Sequence, residues 1–317
     1  MNESSIFGKA YEYACLKAIY ETIIKIRPVE IVQNSSLNIA KECFEYISEY
    51  EKSDMRKSAL AGISIIIDLE PKIIEDGKDK LTISLQADSI AKTGDIRDII
   101  IIRRSIKWEI GISVKHNHAA LKHSRLSQHI DFGNEWFKVP CSKEYFDEIT
   151  PVFNLLESLK EKECLWKDIY KKEDVVYGPI LNAFIKEFSR LFIKHNQKIT
   201  IGIINYLLGS NGNDYYKLIH YNNHITRIVP FNISGTLNQS TEKSKPKIKI
   251  PKINLPTKII DLSFKEDSKT TVILTMNNGW SISFRIHNAS TKVEASLKFD
   301  IQLQGQPADL FYIDTNW

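Results

Sequence analysis

The sequence predicts an α+β protein: a mixed β-sheet flanked by helices, followed by a β-rich C-terminal region. Three observations carry this expectation. Four consecutive isoleucines, Ile99 to Ile102, form a β-branched run bounded by polar turns, the pattern of a strand buried on both faces. Apolar residues recur at helical spacing near the N-terminus and again between Tyr145 and Asn196. From about Ile199 the pattern changes to short strands separated by turns.

Taken in order, Ser4 and Ser5 can cap a first helix running through Gly8 and Leu16 to about Ile26. A second helix is expected over Asn38 to Glu51 and a third near Arg56 to Ile65. Leu81 to Ala87 reads as a strand, Asp88 to Thr93 as a polar loop, and the segments around Asp98 and Lys115 extend the sheet. Tyr145 to Lys162 and Gly178 to Asn196 are helical, the latter with Ile180, Phe184, Phe188, Leu191 and Phe192 on its apolar side. Thr200 to Leu208 is apolar, Gly209 to Asn213 a turn, and Tyr215 to His220 a strand. Lys243 to Lys252 is basic, and its Pro246 and Pro251 exclude both helix and central strand, so it reads as an extended linker or edge strand. The tail from Lys258 is β-rich, and Gly279 to Ser290 alternates. The expected division is a core of residues 1–198, with the N-terminal helices and the Asp98–Lys115 hairpin, and a β-rich region of residues 199–317 that serves ligand recognition, completion of the sheet or both.

With 317 residues, 43% hydrophobic, 26% charged and a net charge of +4, the chain is of ordinary globular composition, with room for a sizeable core and two domains. Its longest apolar runs, such as Ile63 to Ile67, fall far short of the roughly 20 residues a membrane-spanning helix needs. The N-terminus lacks the basic start and apolar run of a signal peptide, so a cytoplasmic location is expected. Cys15, Cys43, Cys141 and Cys164 are widely spaced and indicate neither a zinc knuckle nor a disulfide framework.

The segment from Asp98 to Lys115 holds the chemistry. After the isoleucine run, Trp108, Ile110, Ile112 and Val114 point one way while Glu109, Gly111, Ser113 and Lys115 point the other, the period of a strand. A reversal around Ser105 and Ile106 sets Asp98 roughly opposite Ser113 and Val114, with Lys115 beside it. Acids and lysines flanking strands are common, so on spacing alone a purely structural role stays open. Four of the eight histidines follow within a short window, His116, His118, His123 and His129, together with Asn117, Lys122 and Arg125. That concentration of donors suits a phosphate-rich ligand. Near the C-terminus, Arg285 and Asn288 offer the donor types that read base edges, with an ordinary surface strand as the alternative.

Gly111-Ile112-Ser113-Val114-Lys115-His116-Asn117-His118, followed by Leu121 to Ser127 and Asp131-Phe132-Gly133, resembles the HaeIII family of type II restriction endonucleases. Arg285 to Ser290 and Ser296 to Asp300 resemble the same family, so the similarity covers most of the chain. The resemblance implies the PD-(D/E)XK nuclease fold and a magnesium-dependent cut through both strands of DNA at GGCC, blunt in its centre. It also implies a cognate DNA methyltransferase as genetic partner. A homodimer is expected, because a palindromic duplex is matched by two-fold protein symmetry.

Carried over residue by residue, the nuclease motif places its first acid at Asp98, with Asp95 as lesser rival, and its lysine at Lys115. The position two before the lysine, where an acid is usual, is Ser113. The missing carboxylate must then come from elsewhere. Glu12 lies on the helical stripe of Leu16, Ile19 and Ile23 and points inward, where an ionised carboxylate is costly unless it meets a cation; a helix-edge glutamate reaching back to water remains the plain alternative. Asp131 is the second candidate, and Glu109 a third, six residues or about 20 Å from Lys115 along an extended strand. Asp98, Glu12 and the Val114 carbonyl would hold magnesium. Lys115 would act on the attacking water, and His116, Asn117, His118, Lys122, His123, Arg125, Arg285 and Asn288 would contact DNA, with the Lys243 to Lys252 stretch as a further possible contact. The histidine spacing forms no closed set of zinc ligands. Two other readings stay open: a DNA-binding protein of the same fold that has lost cleavage, and a structure-specific nuclease.

Overall fold

The computed structural model describes residues 3–75, 79–87, 95–117, 122–209 and 213–317, and of Lys122 and His123 the backbone alone. Two compact units are present. The first comprises Met1–Ala119, Gly209–Ile253 and Asp309–Trp317; the second comprises Ala120–Leu208 and Asn254–Ala308. These units cross the expected boundary at residues 198/199. The reason is strand pairing: the segment after Gly209 returns to complete the sheet that holds Lys115.

In the first unit, helix α1 (Glu3–Ile23) leads into strand β1 (Val29–Ile31), then α2 (Ser35–Tyr46), α3 (Glu49–Leu69) and the short α4 (Pro71–Ile74). Asn34 starts α2 by accepting the Leu37 amide, and Ser48 with Glu51 forms a reciprocal capping box at the start of α3. Strands β2 (Leu81–Leu85), β3 (Ile99–Arg103) and β4 (Trp108–His116) follow. The β3–β4 reversal is a 3-10 turn over Arg104–Ile106 that ends at Lys107 with φ of 50°. After the inserted second unit come β6 (Tyr215–Tyr221) and β7 (Ile225–Phe231), and finally β12 (Ile313–Asn316). They form a seven-stranded mixed sheet in the order β1-β2-β3-β4-β6-β7-β12. Pairing is parallel for β1–β2 and β4–β6 and antiparallel elsewhere.

The hydrophobic core joins α1, α3 and one face of this sheet, and it buries Ile99, Ile101, Ile110, Ile112, Val114, Tyr216 and Leu218. Each such aliphatic side chain contributes about 1.5–3 kcal/mol by leaving water. Gly62 allows α3 to lie close on the sheet, since a Cβ there would meet the Leu218 and Thr226 side chains at 2.4 and 2.8 Å. The buried Tyr11 hydroxyl bonds Ser58 at 2.8 Å and Ser58 bonds Thr226, so α1, α3 and β7 are also tied by hydrogen bonds. The basic stretch Lys243 to Lys252 is extended and pairs with no strand; Lys247 meets Asp68 at 2.8 Å, and buried Asn238 holds the backbone of Ile248 and Ile250.

In the second unit, β5 (Lys122–Leu126) is followed by α5 (Phe132–Phe137), α6 (Lys143–Glu161) and α7 (Gly178–Leu208). Strands β8 (Ile259–Phe264), β9 (Thr271–Met276), β10 (Ser281–His287) and β11 (Leu297–Gly305) complete an antiparallel sheet in the order β5-β11-β10-β9-β8. One face carries Phe284 and Phe299, which pack on Trp136 and Phe184. The expected strand over Thr200 to Leu208 is instead the last part of α7, beyond a kink at Asn196 (φ 10°, ψ −88°). Its β-branched content suggested a strand, but Ile199, Ile203, Ile204, Leu207 and Leu208 fall on one buried helical stripe. No described helix is long and apolar enough to cross a membrane.

Candidate active site

Asp98 precedes β3 and is locked onto β4 at both ends. Its backbone N–H bonds the Ile112 carbonyl at 2.9 Å. Its Oδ2 accepts the Val114 amide at 2.6 Å, the Lys115 ammonium at 3.1 Å and the Ser113 hydroxyl at 3.3 Å. The isoleucine strand thus does what the spacing predicted, delivering an acid and a lysine to one end of a hairpin. Both side chains keep contact with solvent, at 20% exposure for Asp98 and 34% for Lys115, whereas Ser113 is fully buried.

Glu12 comes from α1, which packs against β4. It is only 7% exposed and takes the Lys9 ammonium on both oxygens at 3.0 Å. Its pKa is pushed up to about 8, first by burial and then by the negative charge of Asp98, against the opposing pull of Lys9 and Lys115. The carboxylate is therefore within electrostatic reach of the hairpin and is held in a place where ionisation is costly without a cation. Among the described residues no set of three or more His, Cys, Asp or Glu side chains converges as a metal cage. Asp98 and Glu12 are two carboxylates, the second destabilised by the charge of the first. Oxygen donors of this type fit a hard divalent cation that keeps part of its water.

The rival acids have other engagements. Asp95 binds the Arg97 guanidinium at 2.8 Å, which helps to hold its carboxyl below the usual range against the effect of burial. Glu109 binds the same arginine at 2.9 Å, and the Arg97 stem lies across Gly111, where a Cβ would sit 2.0 Å from it. Asp131 belongs to the second unit and caps α5 by accepting the Asn134 and Cys141 amides at 2.8 and 3.0 Å.

The expected DNA contacts divide into two groups. His116 stacks between Phe7 and His220, with centroids 5.3 and 4.9 Å away, and burial lowers its pKa. Asn117, at φ of 51°, accepts the Asn222 amide at 3.0 Å and donates to the Asn222 side chain, pinning the β6–β7 turn. In the second unit, Arg125 and Arg285 stand on the polar face of the β5-β11-β10 sheet although 160 positions separate them in sequence. Arg125 pairs in register with Lys298, Lys298 with His287, and Arg285 with Asp300. Arg125 is held by Glu294 at 2.8 Å and Ser296 at 2.7 Å, and His287 by Asp300 at 2.9 Å. Asn288 spends its amide within its own loop, on the Ser290 and Lys292 carbonyls and the Glu294 amide. His118 lies outside the described residues, as do the side chains of Lys122 and His123.

Sequence reasoning missed two lysines. Lys9 holds Glu12. Lys217 lies on β6, directly in register with Ser113, and is 6% exposed. Burial pushes its pKa down to about 8, aided by the positive charge of Lys115 and opposed by Asp98. The available signal was one cation in the middle of the otherwise uncharged strand Tyr215 to Tyr221.

A family model described as HaeIII restriction endonuclease matches residues 8–307. The chain belongs to the HaeIII restriction endonuclease family. It is 46% identical, over 317 residues that cover 100% of this chain and 99% of the relative, to the type II restriction enzyme HaeIII of Haemophilus aegyptius. No solved structure matches it. Family membership makes the chain an endonuclease relative throughout its length, so the Asp98–Lys115 hairpin, the helix with Glu12 and the polar sheet face with Arg125 and Arg285 all fall inside the shared region.

Proposed function

We propose that this chain is a cytoplasmic type II site-specific deoxyribonuclease that hydrolyses both strands of duplex DNA at a short palindrome, GGCC cut bluntly in its centre, with magnesium as cofactor. A homodimer would match the two-fold site, and a methyltransferase of the same specificity would protect the host. The observation that carries the reading is Asp98 Oδ2, which gathers the Val114 amide and the Lys115 ammonium at the hairpin end while Glu12 supplies a second, buried carboxylate.

Asp98 and Glu12 would hold the cation, with the Val114 carbonyl as an added ligand. When bound, magnesium would make a water nucleophilic and offset charge on the reacting phosphate. Lys115, fixed by Asp98, orients or deprotonates the attacking water and stands against the scissile phosphate. To hold the cation Glu12 would have to be ionised and released from Lys9. Arg125 and Arg285 contact phosphates or bases from the polar face of their own sheet, and the family resemblance adds His116, Asn117, His118, Lys122, His123 and Asn288 as further DNA contacts.

Ser113 favours one competing reading, a binding protein that no longer cuts. Plasmid DNA incubated with the protein, with magnesium and then with chelator, separates the possibilities. Discrete metal-dependent fragments support the restriction enzyme. A smear or nicking limited to branched structures indicates a general nuclease, and site-specific binding without cutting indicates an inactive module.

A further inference from the structure

We propose that Lys243, Lys245, Lys249 and Lys252 form a separate DNA-contact surface, which holds the phosphate backbone of duplex outside the recognition site without regard to sequence. The inference rests on the reading of the chain as a site-specific nuclease. Residues 243–252 hold five lysines and no acid, while the whole chain carries only +4, so the other 307 residues together carry −1. The excess positive charge of a DNA-cutting protein is thus gathered in one ten-residue segment. All five lysines are exposed. Lys247 is spent on Asp68 at 2.8 Å, and among the described residues the other four form no ion pair.

A solvated charge run needs no support, yet this one is fastened to the first unit. Buried Asn238 donates to the Leu69 and Ile248 carbonyls at 2.8 and 3.0 Å and accepts the Ile250 amide at 2.7 Å. Buried Asn232 donates to the Ile250 and Pro251 carbonyls at 3.4 and 3.2 Å, and its own carbonyl accepts the Ile253 amide at 2.9 Å. Ile250 and Ile253, each next to a lysine, are buried. Ordering a chain costs entropy and setting like charges side by side costs repulsion. A segment held this firmly with its lysines in water is preorganised for negative charge, and four unpaired cations in one stretch of chain match a repeating row of phosphates better than a single anion.

Its position separates it from the cutting site. Strand β7 runs antiparallel to β6, which runs parallel to β4, so Lys115, Ile219 and Arg227 lie level across the sheet. Asn232, which holds the segment, lies five residues beyond Arg227, about 17 Å away at the rise of a strand. A four-base-pair site cut in its centre reaches only about 7 Å to either side. The lysines therefore meet DNA beyond the site, where they serve affinity and approach rather than chemistry.

The test measures binding to a duplex that lacks the site, in chelator, over a range of salt. It compares the parent with the four lysines replaced together by Gln and with the same four replaced by Arg. Each lysine that displaces a counterion from a phosphate contributes about 0.9 to the log–log slope. The Gln variant should flatten the slope by about 2–4 and bind at least about tenfold more weakly at low salt, whereas the Arg variant should stay within about 0.9 of the parent slope. With magnesium, the Gln variant should cut a short duplex centred on the site within about threefold of the parent, yet cut the same site in a long plasmid about tenfold more slowly at low salt. A Gln-variant slope within about 0.9 of the parent overturns the inference, as does equal flattening in the Arg variant. If the Gln variant does not melt as a folded protein, Lys249→Gln combined with Lys252→Gln decides: a slope flattened by about 0.9 or more supports the surface and an unchanged slope overturns it. A flattened slope in a protein that cuts no DNA with magnesium would keep this surface and overturn the nuclease reading; metal-dependent cutting with an unchanged slope would do the reverse.

Discussion

Replacing Glu12 with glutamine removes its ability to ionise and changes its shape very little, which makes the variant a direct probe of the buried carboxyl group. The unfolded chain loses the Glu12 proton near its ordinary value of 4.5, whereas the folded protein holds it until about pH 8. Between those values the folded state binds more protons, so the contribution of this residue to stability falls as pH rises through the window and is flat outside it. Each pH unit is worth about 1.4 kcal/mol. At pH 7 the residue therefore costs the metal-free fold about 3 kcal/mol, and at pH 5 less than about 1 kcal/mol. Glu12→Gln, which can still accept from Lys9, should be more stable than the parent by those amounts in chemical denaturation with chelator present. The same variant should lose cleavage by more than the roughly 10–100-fold that even an outer partner of a metal ligand costs. In the parent, cation binding must expel the Glu12 proton, so affinity for magnesium should rise about tenfold per pH unit up to about pH 8. Normal cutting by Glu12→Gln, or a stability difference that does not vary between pH 5 and pH 7, would refute the assignment of Glu12 as the borrowed acid.

Three further outcomes are expected. Lys115→Ala should abolish cutting in a plasmid digest while leaving specific binding within a modest factor by gel shift. Asp131→Ala should lose about 1 kcal/mol of stability through the α5 cap but keep metal-dependent cleavage, since its carboxylate is spent on backbone amides; loss of cleavage in a folded protein would return it to the site. Arg285→Ala should weaken site binding by about 1–3 kcal/mol if it reads a base, with relaxed preference at one position of the site, or lower the salt slope by about 0.9 if it meets a phosphate; unchanged titrations at two salt concentrations would remove it from the interface.

The hairpin was legible because both of its signals are local. A β-branched run and a two-residue alternation fix the strands, and the short turn between them fixes which ends meet. Glu12 was reachable because a helical stripe places it inward, although the stripe could not show that Lys9 would hold it or that Asp98 would act on it. Lys217 was out of reach for the opposite reason. Its place beside Ser113 comes from parallel pairing between β4 and β6, a contact that spans a whole inserted unit and has no short-range signature. The Thr200 to Leu208 error has a physical cause too: isoleucine and threonine favour strands on average, yet here the buried side repeats every three or four residues and packing overrides propensity. Arg125 and Arg285 were selected singly for their chemistry, but that they occupy one sheet face follows only from the antiparallel order β5-β11-β10.

The return of the chain to the first sheet also sets the order in which the protein can become active during synthesis. Strand β4 is finished at His116, but its parallel neighbour begins at Tyr215, 99 residues later. At about 5–20 residues per second, a ribosome needs roughly 5–20 s to make that interval. Until then β4 has an open edge and Ser113 lacks Lys217 beside it. Non-local pairing of this kind is slow to form because a long loop must close first. A nascent chain therefore carries every element of the hairpin long before it can carry a working site, and an enzyme aimed at the cell's own kind of polymer is withheld from it until most of the chain has been made.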